Sequence, residues 1–151
     1  MPRSVNPGQA AALPAVPGSY LLLLDLAAPI RLVVGRLGTF DFPAGRYAYA
    51  GSAHGSGGLR ARVGRHLRAE KRLHWHVDYL AAHAPVVEVW YVESGERLEC
   101  AWAARLRALP GAVTPVEGFG SSDCGCRAHL IWLPDGVTGE ALREAMRLRI
   151  I

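Results

Sequence analysis

Half of the 151 residues are hydrophobic and 20% are charged, the make-up of one folded domain, and the formal charge of +4 is modest. A domain of this size buries roughly two-thirds of its unfolded surface, so it needs neither disulfides nor metal merely to fold. The longest apolar run, Tyr20 to Leu24, falls far short of the roughly 20 residues of a membrane span. The N-terminus also lacks a basic flank followed by an apolar block, so the expectation is a cytoplasmic protein with no membrane partner.

Residues 1–17 scatter Pro2, Pro7, Pro14 and Pro17 among small residues without an apolar period, which predicts a flexible leader before a single domain over 18–151. Tyr20–Leu26 and Ile30–Leu37 are apolar runs parted by Ala27, Ala28 and Pro29, and predict two strands joined as a hairpin. In Tyr47-Ala48-Tyr49-Ala50 aromatic and small residues alternate, which puts both tyrosines on one face of a third strand. The run from Gly51 to Gly58 ends that strand and empties into Leu59–Ala69, where Leu59, Val63 and Leu67 recur at helical spacing. Such a loop before a helix is also the general form of a phosphate cradle, although it matches neither the P-loop nor the dinucleotide fingerprint.

Further on, the spacing predicts a short helix over 76–83, a strand over 86–92 and a helix over 96–109 with Leu98, Trp102, Leu106 and Leu109 inward. A last strand is expected at 128–133 and a closing helix at 138–148, with Thr138 as its N-cap. The class is therefore α+β: a small central, mainly antiparallel sheet, from the N-terminal hairpin and the third strand, flanked by helices.

Charge is concentrated in one segment. Arg60, Arg62, Arg65, Arg68, Lys71 and Arg72 against Glu70 give +5 over thirteen residues, and the rest of the chain sums to −1. With His66, His74 and His76 beside it, this block suits a phosphate-bearing partner; the plainer reading is a solvated helix face.

Gly18-Ser19-Tyr20, Tyr49-Ala50-Gly51 and Leu59-x-x-Arg62-x-x-x-His66 together resemble the GIY-YIG nuclease superfamily. The stretches around Arg65-His66-Leu67-Arg68, His74-Trp75-His76-Val77-Asp78, Leu98-Glu99-Cys100 and Gly118 to Leu130 are similar to a narrower branch, which also occurs appended to endonuclease III type glycosylases. The resemblance covers Gly18 to about Leu109. It implies a GIY-YIG-like fold and an endonuclease that hydrolyses phosphodiesters, on DNA rather than RNA, with one Mg²⁺ or Mn²⁺. It gives Tyr20, Tyr49, Arg62 and His66 catalytic roles and Glu99 the metal. The superfamily's late Asn has no counterpart, since Asn6 is the one Asn in the chain; Ser121, Ser122 or Asp123 would stand in. With 28 residues between Tyr20 and Tyr49, the motifs leave room for an extended hairpin. Nucleic acid would lie on Arg60, Arg65, Arg68, Lys71 and Arg72. The alternative is a non-catalytic DNA- or RNA-binding module on the same scaffold.

The chemistry demanded of such a set is coherent. A water must be deprotonated, charge on the phosphorane neutralised and a cation set against the non-bridging oxygens. A phenol titrating near 10 needs a lowered pKa to act as base, whereas a guanidinium is always charged and forked for phosphate. Cys100, Cys124 and Cys126 are an odd count with two almost adjacent, which argues against a disulfide framework and for a reducing compartment. His74, His76, Cys124, Cys126 and His129 form a possible second site for Zn²⁺, against the plainer expectation of reduced cysteines in a packed loop.

Overall fold

A computed structural model describes residues 3–68, 75–120 and 126–147. The described residues form seven strands and four α-helices: β1 (Arg3–Val5), β2 (Gly18–Leu26), β3 (Ile30–Val34), β4 (Gly38–Phe42), β5 (Gly45–Ala53), α1 (Gly58–Leu67), α2 (His76–Ala81), β6 (Val86–Glu93), α3 (Glu99–Arg107), β7 (Leu130–Leu133) and α4 (Gly139–Met146). A 3-10 helix, Pro7–Ala12, follows β1. The fold is α+β, with a five-stranded antiparallel sheet in the order β1-β6-β2-β5-β7 and a separate β3–β4 ribbon.

The expected hairpin of Tyr20–Leu26 with Ile30–Leu37 does not form. β2 lies between β5 and β6, while β3 pairs with β4, so the ribbon is an insertion between the two tyrosine-bearing strands. The reason is burial on both sides. Leu22 and Leu24 join Tyr20, Tyr47 and Tyr49 under α1, α2 and the ribbon, while Leu21 and Leu23 join Ala48, Ala50, Trp102 and Leu106 under α3 and α4. A strand apolar on both faces belongs in the middle of a sheet, and the ribbon, with Arg31 and Asp41 outward and Leu32, Val34 and Phe42 inward, covers one of its faces.

The segment expected as a flexible leader is instead part of the domain. Arg3–Val5 pairs with β6 at the sheet edge, and Leu13 is fully buried. Its backbone also completes α1: the Leu59 and Arg60 N–H groups donate to the carbonyls of Val16 and Pro14 at 3.0 and 3.2 Å. Helix N-termini leave such donors unsatisfied, so a proline-rich strap without apolar period is ordered by backbone rather than side-chain demand. Gly58 permits the approach: it has φ +57°, and a Cβ there would stand 2.3 Å from the Val16 carbonyl oxygen. With the Gly58 and Ala61 N–H groups donating to Gly55 and Gly57, the start of α1 offers no phosphate cradle.

β4 has no counterpart among the expected elements, while α1, α2, β6, α3, β7 and α4 fall within a few residues of expectation. Thr138 caps α4 by accepting from the Ala141 N–H at 3.0 Å. No helix among the described residues is long and apolar enough to cross a membrane.

Candidate active site

β2 and β5 are in register with Tyr20 opposite Gly51 and Ser19 opposite Ser52. Strand alternation sends Tyr20 and Tyr49 to the α1 face and the two serines to the α3 face. A Cβ on Gly51 would lie 2.5 Å from the Tyr20 ring, so the glycine is the space the phenol occupies. Where this pair of strands ends, residues from both faces meet around a cleft of about 480 Å³, lined among others by Tyr20, Tyr49, Ser52, Arg62, Glu99 and His129.

Behind the cleft runs a chain of buried polar groups. The Tyr20 hydroxyl is 2.9 Å from His66 Nε2, and His66 Nδ1 is 3.3 Å from Asp78 Oδ1. Asp78 is fully buried; its Oδ2 accepts from Arg65 Nη1 at 3.0 Å and from the Trp75 N–H at 2.9 Å. A carboxylate accepting at Nδ1 fixes the imidazole with its proton there and leaves Nε2 as the acceptor for the phenol. Burial pushes the Tyr20 hydroxyl well above the ordinary phenol range, and the positive charge of Arg62 pulls the other way. Tyr49 is raised too, first by burial and then by the neighbouring Tyr20.

Arg62 reaches the cleft from the first turns of α1. It donates to the Ser52 carbonyl at 3.3 Å, and its guanidinium lies 4.5 Å from the Trp75 ring centroid, a cation–π contact that orients it. Glu99, at the start of α3, is 8% exposed and accepts a hydrogen bond from the Ser52 hydroxyl, which also meets Ser19 Oγ at 2.9 Å. The Leu98 N–H donates to Ser19 at 3.0 Å, so two strand serines hold the end of α3 against the sheet.

Tyr20, Tyr49, Arg62, His66 and Glu99, expected to act together, are thus assembled, with His66 buried behind Tyr20 instead of facing the cleft. Tyr47 is elsewhere, its hydroxyl donating to the Pro43 carbonyl. In the basic block, Arg65 is held on Asp78, Arg60 donates to the Leu13 carbonyl at 2.8 Å, and Arg68 is exposed. Lys71 and Arg72 lie outside the described residues, as do His74, Cys124, Ser121, Ser122 and Asp123.

The second cluster differs from expectation. Cys100 and Cys126 form a disulfide, correcting the expectation of reduced cysteines, and His129 Nε2 lies beside both sulfurs. His76 is not with them: its Nδ1 accepts from the Gly120 N–H at 2.7 Å, and burial lowers its pKa. The spacing could not reveal Cys100, because α3 and the segment before β7 meet only in the folded chain.

A family described as a domain of unknown function, DUF123, matches residues 19–149. The chain belongs to the DUF123 family. No curated protein and no solved structure matches it. The matched part of this DUF123 domain begins at Ser19, so β1 and the strap that completes α1 precede it.

Sequence reasoning gave no role to several residues of the DUF123 site. Asp78 and Trp75 were visible only as parts of a longer motif; Ser19 and Ser52 flank the tyrosine motifs. His54 and Arg97 also line the cleft, and both His54 ring nitrogens are buried with no hydrogen-bond partner among the described residues. Its position inside the glycine-rich run concealed it, since that run reads as a loop.

Proposed function

We propose that this domain is a GIY-YIG-like endonuclease that binds nucleic acid, DNA in preference to RNA, and hydrolyses phosphodiesters in the Tyr20 cleft. The observation that carries the reading is the Tyr20–His66–Asp78 chain, which ends in the same cleft as Arg62 and Glu99.

Tyr20 accepts a proton from the attacking water as its own hydroxyl proton passes to His66 Nε2. The concerted transfer avoids a free phenolate, whose formation burial disfavours. Asp78 stabilises the resulting imidazolium and holds the ring's orientation. The water oxygen forms the new bond to phosphorus as the bond to the leaving oxygen breaks, and Arg62 sets its fork against the non-bridging oxygens. Glu99, a hard oxygen donor at the cleft, would hold Mg²⁺ or Mn²⁺. Such a cation, when bound, would neutralise phosphate charge and stabilise the leaving oxygen.

Glu99→Gln keeps the hydrogen-bonding shape and removes the charge. It is expected to abolish cleavage in Mg²⁺ or Mn²⁺ while leaving DNA affinity within a few-fold; a variant cutting at the parent rate would exclude Glu99. The rival, a binding module without cleavage, draws support from the burial that holds both phenols protonated. It predicts DNA binding and no product under any divalent cation.

A further inference from the structure

Cys100 is the second residue of α3, while Cys126 and His129 stand three apart in the segment that enters β7. His129 Nε2 is 3.5 Å from Cys100 Sγ and 3.1 Å from Cys126 Sγ, and the three donor atoms lie within 4.8 Å of one another. Tetrahedral zinc, with bonds of about 2.3 Å to sulfur and about 2.1 Å to nitrogen, places S and N about 3.5 Å apart. The nitrogen therefore stands at a zinc-like distance from each sulfur, and the two sulfurs, bonded to each other here, would part to about 3.8 Å on reduction to share a metal. His129 lines the cleft, which leaves a side from which water could fill a fourth position.

We propose that Cys100, Cys126 and His129 form a redox-gated zinc site: the dithiol form binds the metal and the disulfide form does not. Two thiolates and a neutral imidazole are soft and borderline donors that select Zn²⁺ over Mg²⁺, so this site is separate from the Glu99 carboxylate. On binding, each thiol loses its proton to solvent, and Zn²⁺ takes both sulfurs and Nε2. The oxidant is a small-molecule disulfide. One cysteine thiolate attacks it, forming a mixed disulfide and expelling one small thiolate. The second cysteine displaces the other, so that the small disulfide is reduced by two electrons, the Cys100–Cys126 bond forms and Zn²⁺ departs.

The full chain, reduced with a phosphine and freed of metal, is titrated with Co²⁺ and then Zn²⁺. The expected result is a thiolate-to-cobalt charge-transfer band saturating at one ion per chain, its loss on adding Zn²⁺, and no band in the disulfide form. Adding glutathione disulfide to the zinc form should release the metal to a chromogenic chelator. Cys100→Ser should weaken Co²⁺ binding by at least about tenfold, and His129→Ala carries the same test if the first variant does not fold. No band in reduced, folded protein would overturn the proposal. Unchanged affinity in the folded variants would do so too, because the metal would then rest on other cysteines. None of these readouts depends on cleavage.

Discussion

Tyr20 and Tyr47 are both buried phenols with hydrogen-bonded hydroxyls, yet only Tyr20 meets an imidazole beside Arg62. In the proposed reaction Tyr20→Phe removes the group that takes the water's proton, and it should lower the cleavage rate by about 10²-fold or more with the fold intact. Tyr47→Phe removes a bond to the Pro43 carbonyl, so it should cost about 1 kcal/mol of stability and leave the rate nearly unchanged. Single-turnover rates with denaturant melts of both variants check this; equal loss of rate in the two would remove Tyr20 from its role. The pairing of a tyrosine with a glycine on each motif strand was legible at this scale, because Gly51 is small for the sake of Tyr20. Asp78 was not legible. It acts through His66 across twelve residues of separation, and a buried carboxylate in sequence looks like any surface one.

At the level of elements, period alone predicted α1, which has one apolar face to bury, and the strand carrying Tyr47 and Tyr49, where aromatic residues on one buried face alternate with alanines on the other. It misjudged the partner of β2. A run such as Leu21-Leu22-Leu23-Leu24 states that both faces are covered but carries no register, and the nearest apolar run was not its neighbour. The leader was misjudged for the opposite reason: it contributes a three-residue edge strand, carbonyl groups and one fully buried leucine, which leave no period. Leu13 is fully buried against the core. Leu13→Ala should therefore destabilise the whole domain by about 2–5 kcal/mol. A denaturant midpoint unchanged from the parent would mean that the strap is dispensable.

Across the whole molecule two solution properties follow from burial and charge. Burial raises the Tyr20 and Tyr47 hydroxyls in the folded state, whereas in the unfolded chain they titrate near 10. Above about pH 10 the unfolded chain gives up these protons and the folded one keeps them, so stability present below that pH is lost as pH rises. Denaturant midpoints from about pH 9 to about pH 11 should fall accordingly; a flat profile would contradict the burial of both phenols. The charge is divided by the fold. Arg65 is bound to Asp78, and exposed Arg97 joins Arg62 at the cleft, so the proposed nucleic-acid face is Arg60, Arg62, Arg68 and Arg97 together with whatever Lys71 and Arg72 add. If about four phosphates are neutralised, log affinity should fall against log salt with a slope of roughly −3 to −4, measured by anisotropy on labelled DNA; a slope near zero would exclude this face. The most direct test of the account is cleavage itself. The full chain is incubated with pooled single-stranded, duplex and branched DNA, with and without Mg²⁺ or Mn²⁺. The proposed chemistry predicts products that appear only with the divalent cation and vanish in Glu99→Gln. Binding to the same pool with no product under either cation would contradict it.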